Sequence, residues 1–124
     1  MRWKIKGYEV RAGESVIDDW MAIASRAAEK FDSRLNFMKD RRTWPHHYAH
    51  NLNDCDGVWE VKFESGGIAH RPLFFMGPGR DELTFVGFAI EHNDRLKPPG
   101  ILATAIRRMK EIVESPEKAI DYDG

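Results

Sequence analysis

Leu83-Thr84-Phe85-Val86-Gly87-Phe88-Ala89-Ile90 decides the fold. Successive residues of a strand point to opposite faces. This run is apolar on both faces, which predicts a strand at the centre of a sheet. Upstream lies a turn, Gly77-Pro78-Gly79-Arg80-Asp81, and before it residues 68–76 read as a strand. Ser65-Gly66-Gly67 has hairpin chemistry, and Val58-Trp59-Glu60-Val61-Lys62-Phe63-Glu64 alternates almost strictly. A two-residue turn at Gly66-Gly67 pairs Ser65 with Ile68, and so sets Lys62 opposite Arg71 and Glu60 opposite Leu73. Glu60, Lys62, Glu64 and Arg71 then share one face, with Trp59, Val61, Phe63, His70, Pro72 and Phe74 on the other.

Outside this block, residues 3–10 partly alternate and read as a first strand. Gly13 breaks it, and Ser15 is a plausible N-cap with Asp18 at the capping-box position. Val16, Ile17, Trp20, Met21, Ala24, Ala27, Ala28 and Phe31 follow at helical spacing. Asp32-Ser33 restarts a second helix with Leu35 and Met38 inward, ended by Trp44-Pro45. A loop rich in His, Asn and Asp runs over 45–57. Pro98-Pro99 opens a last helix with a stripe from Ile101 to Val113, and Ser115-Pro116 closes it. The order β-α-α-β-β-β-α predicts an α+β fold, with a mostly antiparallel sheet of about four strands and the two early helices on one face.

The 124 residues, 42% hydrophobic, suit one domain over 1–124. There is no apolar run of about 18 residues and no signal-peptide pattern at the N-terminus, so a soluble, cytoplasmic protein without membrane contact is expected. Cys55 is the only cysteine, which excludes an intrachain disulfide and a cysteine metal cluster. From Glu111 onward five carboxylates stand against Lys118, a local charge of −4 that leaves +3 on residues 1–110 of a total of −1. A mildly basic body is compatible with nucleic acid. The acidic tail from about 115 is expected to extend past the last helix and to disfavour approach to RNA; the alternative is that Ile120 and Tyr122 tie it to the core.

Gly57-Val58-Trp59-Glu60-Val61-Lys62-Phe63, Gly66-Gly67, His70-Arg71-Pro72-Leu73-Phe74-Phe75 and Gly77-Pro78-Gly79-Arg80 arrive in an order that resembles the phage-derived, HigB-like branch of the RelE/ParE toxin superfamily. The apolar strand and the last helix, with Ala105, Arg107-Arg108 and Ile112, extend the likeness, which covers roughly residues 51–115. The resemblance implies a RelE-like fold and the toxin of a type II toxin–antitoxin pair. Such a toxin is a ribosome-dependent, metal-independent mRNA endoribonuclease that needs no cofactor. The ribosome, its mRNA and a cognate antitoxin, expected to be a helix-turn-helix protein, would be the partners. Alternatives are a binding module without nuclease activity and a ParE-like gyrase inhibitor.

Cleavage of RNA through its own 2′-hydroxyl needs a base, an acid for the leaving oxygen and positive charge at the phosphorane-like transition state. Arg71 is the first candidate, because a planar, permanently charged guanidinium clamps phosphate. The resemblance places an arginine at this strand position on the scissile phosphate. The alternative is a surface arginine paired with Glu60 or Glu64. His92 ends the central strand beside Glu91, and histidine exchanges a proton near neutrality. The resemblance implies a histidine or tyrosine here as general acid; a loop-binding histidine is the alternative. Glu60 is the candidate base, against a simple ion pair, and Lys62 an auxiliary cation. Arg107, Arg108 and Lys110 on the last helix, with Lys97, are candidate RNA phosphate contacts, against a solvated face. His46 and His50 have an i,i+4 spacing, but a polar loop outweighs a metal site there. Trp44 and Tyr48 could stack on bases, or anchor the core.

Overall fold

The computed structural model describes residues 2–122. These form nine strands, three α-helices and one 3-10 turn. The strands are β1 (Lys4–Arg11), β2 (Glu14–Ser15), β3 (Ala49–Asn51), β4 (Trp59–Val61), β5 (Phe63–Ser65), β6 (Ile68–Met76), β7 (Glu82–His92), β8 (Arg95–Lys97) and β9 (Ala119–Asp121). The helices are α1 (Val16–Ile23), α2 (Ser25–Lys39) and α3 (Ile101–Glu114), and the 3-10 turn spans Pro116–Lys118.

All nine strands join one mixed sheet, ordered β2-β1-β7-β6-β4-β3, with β5 beside β6, β8 beside β7 and β9 beside β1. The central strand β7 pairs antiparallel with β6 over its length and parallel with β1. This overturns the expected RelE-like sheet of about four strands; the sheet is mostly antiparallel, as expected, with β1–β7 its one parallel pairing among the described residues. Four of the additional strands, β2, β3, β8 and β9, are two or three residues long, too short to show alternation. The fifth arises because residues 58–64 do not form one strand. Lys62 interrupts them, and its N–H donates to the Tyr48 carbonyl at 2.8 Å.

Gly66 and Gly67 both have positive φ (58° and 77°), as a tight hairpin turn requires. The register follows from that turn: Ser65 opposes Ile68, Phe63 opposes His70 and Glu60 opposes Leu73. In β7 a bulge between Leu73 and Phe74 of the facing strand leaves Val86 as the extra residue. Across the bulge the alternation shifts by one residue, so that Leu83, Phe85 and Phe88 meet one core cluster and Val86 and Ala89 the other.

One face carries α1 and α2. Ile17, Trp20, Phe31, Leu35 and Met38 pack there on Val61, Phe63, Phe74 and Phe85. The other carries α3, where Ala105, Met109 and Ile112 meet Leu73, Phe75, Val86 and Ala89. Gly87 sets that approach, since a Cβ there would lie 3.3 Å from Ile101 Cδ1. The early helices divide at Ala24 rather than at Asp32, and α2 ends at Lys39, ahead of Trp44-Pro45. The Ser15 hydroxyl caps α1 by accepting from the Ile17 and Asp18 amides, and Asp18 returns a bond from the Ser15 amide.

The acidic tail does not extend away. Strand β9 pairs antiparallel with β1, Ala119 is buried, and the Tyr122 hydroxyl donates to Asp32 at 2.6 Å. The tie-down at Ile120 and Tyr122 is the arrangement found. Asp123, the last of the tail's acids, lies outside the described residues.

Candidate nucleic-acid interface

Helix α2 presents Lys30, Ser33, Arg34 and Phe37 on one face, at i, i+3, i+4 and i+7. Across from them stand His47 and Tyr48, which lead into β3, and Lys62, Phe63, Glu64 and Arg71 of the sheet. Together they enclose an open cleft of about 630 Å3. Its walls are tied to each other. The Arg34 guanidinium lies 3.9 Å from the centre of the Tyr48 ring, whose edge meets Phe37 at 4.4 Å between centroids. The Lys30 ammonium donates to the Glu64 carbonyl at 2.6 Å. His47 packs edge-on to Tyr48 at 4.6 Å.

The cleft gathers four basic side chains, Lys30, Arg34, Lys62 and Arg71, and a single carboxylate, Glu64. Arg71 is held by Glu91, Nε to Oε1 at 3.0 Å, and also donates to the His70 carbonyl at 2.8 Å. Its partner is thus Glu91, not Glu60 or Glu64. Lys30, Arg34 and Lys62 form no ion pair among the described residues. Three cations left without carboxylates around one concavity repel one another, and an anion in the cleft relieves that repulsion.

Glu60 and His92 do not join Arg71 and Lys62 in this cleft. Glu60 is buried, 6% exposed, and is not among the cleft's walls. Its Oε1 lies 3.3 Å from His50 Nε2 on the neighbouring strand. Burial raises its carboxyl above the ordinary value, partly offset by the charges of Arg71 and Lys62. Burial likewise lowers His50, aided by the positive charge of Lys62. His92 ends β7 exposed, opposite Arg95. Arg71 opposes Ala89, so Glu91 shares its face, and the next residue, His92, takes the other face. His92 also lies three residues beyond Ala89, roughly 10 Å along the strand. Arg71 and His92 therefore leave opposite faces of the sheet, and of the two only Arg71 lines the cleft.

Of the four cations expected to grip RNA from the last helix and its approach, three are engaged elsewhere. Arg107 pairs with Glu111 at 3.3 Å, and Lys110 with Asp56 at 3.5 Å. Arg108 points inward rather than outward. It donates to the Val86 carbonyl at 2.9 Å, over the Tyr8 ring, because the bulge in β7 frees that carbonyl from the ladder. Lys97 is half-buried opposite Ile90. All four lie outside the cleft that α2 lines.

Trp44 is an anchor: its ring packs on Trp3, Trp59 and Phe74, and its indole N–H donates to the Met38 carbonyl. The His46 and His50 rings stack, 4.2 Å apart and 13° from parallel. Among the described residues no three His, Cys, Asp or Glu side chains converge as a metal site would require. Lys30, Arg34 and Phe37 carry a signal that reading the buried stripe of α2 passes over. They form a second, basic and aromatic stripe on the same helix. No helix of the described residues is long and apolar enough to cross a membrane. Comparisons with protein-family models, with curated proteins and with solved structures find no match to this chain.

Proposed function

We propose that this protein binds single-stranded RNA by its phosphodiester backbone, in the cleft between α2 and strands β5 and β6. The observation that carries this reading is the set of three cations without carboxylate partners, Lys30, Arg34 and Lys62, around one concavity beside Tyr48 and Phe37. Phosphates supply the missing negative charge, and aromatic side chains in a basic groove suit the splayed bases of a single strand. A rigid duplex has no unstacked bases to offer such a groove.

A second reading, cleavage of that RNA by the toxin of a toxin–antitoxin pair, has its own support. Arg71 and Lys62 line the cleft with His47 and Tyr48. In this reading Arg71 and Lys62 hold the phosphate, and His47 or Tyr48 handles the proton that Glu60 and His92 are not placed to handle. One experiment separates the readings. The triple variant Lys30→Ala, Arg34→Ala, Lys62→Ala is compared with wild type for binding a fluorescein-labelled RNA decamer by anisotropy, with the recovered RNA run on a sequencing gel. Loss of binding in a folded triple variant supports the cleft. Wild-type binding with intact RNA selects the binding module; fragments lost in His47→Ala select the nuclease. Wild-type affinity in the triple variant would refute both.

A further inference from the structure

A second concavity, about 690 Å3, lies on the far side of the same 45–50 segment. Where His47 and Tyr48 face the basic cleft, His46 and His50 face this one, with Trp44, Trp59, Asn51 and Asn53. Its chemistry differs: it holds neither Lys nor Arg, neither Asp nor Glu. It runs along β3, which is the edge strand of the sheet.

The hydrogen-bond pattern of that edge is defined. Lys62 N–H bonds the Tyr48 carbonyl and Leu52 N–H bonds the Val58 carbonyl. In an antiparallel pair such bonds recur at every second residue, so Tyr48, His50 and Leu52 turn their backbone groups toward β4. Ala49 and Asn51 therefore turn theirs outward. The Ala49 N–H is taken by the Pro45 carbonyl at 3.2 Å. The Asn51 N–H and carbonyl have no partner among the described residues. Beside them the His50 ring, already stacked on His46, has an Nδ1 that is buried and makes no hydrogen bond of ordinary geometry.

We infer that this second concavity is a nucleobase subsite, continuous with the basic cleft across the 46–50 ridge, in which the Asn51 backbone reads the edge of a base. A donor and an acceptor side by side, pointing the same way, match the adjacent ring nitrogen and exocyclic group that every base presents on its Watson–Crick edge. Rings and amides, with neither Lys nor Arg beside them, suit a base better than a phosphate. An extended peptide is a worse occupant. Strand addition needs a run of free backbone groups, and here one residue offers a complete pair while its neighbour's N–H is already used.

The inference rests on the RNA reading, and its test uses probes that come apart from it. Adenosine carries a base and no phosphate; inorganic phosphate is the reverse. Titrated into the 15N-labelled protein, adenosine should shift the Asn51 and Asn53 amides and the Trp59 indole, and phosphate should shift amides around Arg34 and Lys62. A labelled RNA decamer should bind about fivefold or more tightly than its fully abasic counterpart. Asn51→Pro, which removes the N–H at an edge position where proline is tolerated, should erase that difference, while Arg107→Ala, outside both concavities, should preserve it. Circular dichroism confirms both variants folded, and if Asn51→Pro unfolds, His46→Ala takes its place and should narrow the same ratio. Equal affinity of base-bearing and abasic RNA, with phosphate shifts and salt-dependent binding intact, would overturn the subsite and leave the cleft reading standing. No binding of any RNA would overturn both. Protection of the Asn51 amide by an extended peptide but not by adenosine would also overturn the subsite.

Discussion

Lys62→Ala gives the sharpest quantitative expectation. The cleft offers at most four phosphate contacts, from Lys30, Arg34, Lys62 and Arg71. Single strands give a slope of log K against log salt of about −0.7 per contact, hence about −2.8 for four and about −2.1 after Lys62 is removed. Between 50 and 200 mM salt the wild-type affinity should then fall roughly 50-fold, and that of the variant roughly 20-fold. Because Glu91 holds Arg71, the wild-type figure is an upper bound, and the difference between the two slopes is the firmer quantity. The assay is anisotropy of a labelled RNA decamer over a salt series. Arg107→Ala serves as control, since Glu111 already engages that guanidinium. An unchanged slope in Lys62→Ala, or an equal change in Arg107→Ala, would refute the assignment of the cleft.

Three further outcomes are expected. Ser15→Ala removes an acceptor that caps two amides, so urea denaturation should show a loss of about 1 kcal/mol; a change below about 0.3 kcal/mol would mean the cap is replaced by water. Ending the chain at Ser115 removes β9, buried Ala119 and the Tyr122–Asp32 bond, and should cost about 2 kcal/mol or more by urea melts. A truncated protein of full stability that bound RNA more tightly at low salt would instead restore the electrostatic role for the tail. Glu60→Gln addresses pH. The folded Glu60 carboxyl titrates above its ordinary 4.5, so its stabilising contribution is complete below 4.5 and is lost as pH rises through the folded value. His50 titrates below its ordinary 6.5, so its contribution is complete above 6.5 and is lost as pH falls through the folded value. Urea midpoints from pH 4.5 to 8 should show the decline attributable to Glu60 vanish in Glu60→Gln, with the rise attributable to His50 retained. A larger destabilisation of the variant at pH 7 than at pH 5 would contradict this.

The strands that bury both faces or turn on glycine were readable from sequence. Residues 83–90 announce a central strand by being apolar throughout, and Gly66-Gly67 sets the register that places Glu60 opposite Leu73. The Ser15–Asp18 capping box was likewise visible in residue type and spacing. What was not visible depends on partners far away in the chain. Lys4–Gly7 alternate as any strand would, and nothing in them says that the neighbour is Glu82–Phe85, or that the pairing is parallel. Arg108 stands off the apolar stripe and so reads as solvent-facing; only the bulge at Val86 supplies the carbonyl that draws it inward. For the site, Lys62 and Arg71 were found together because a local hairpin joins them, and they do line one cleft. Lys30 and Arg34 reach that cleft by the packing of α2 on the sheet, which short-range pattern does not encode. His92 failed for the same reason that makes register powerful: one residue of offset reverses the face.

The position of β1 bears on how the chain reaches this structure. Its ladder partners are β2 nearby, but also β7, nearly 80 residues on, and β9, at the far end of the described chain. During synthesis the first long strand therefore emerges with only a two-residue partner, and α1 and α2 emerge with their apolar sides before the strands they cover exist. Contacts this distant in sequence slow folding, because the intervening loop must close before they form. The nascent chain accordingly passes through a stage in which Ile17, Trp20, Phe31 and Leu35 are still without Phe74, Leu83 and Phe85. A ribosome-bound fragment stopped before residue 74 would present that surface to chaperones and to other copies of itself. Only the emergence of residues 119–121 lets the first strand complete the edge that β2 begins.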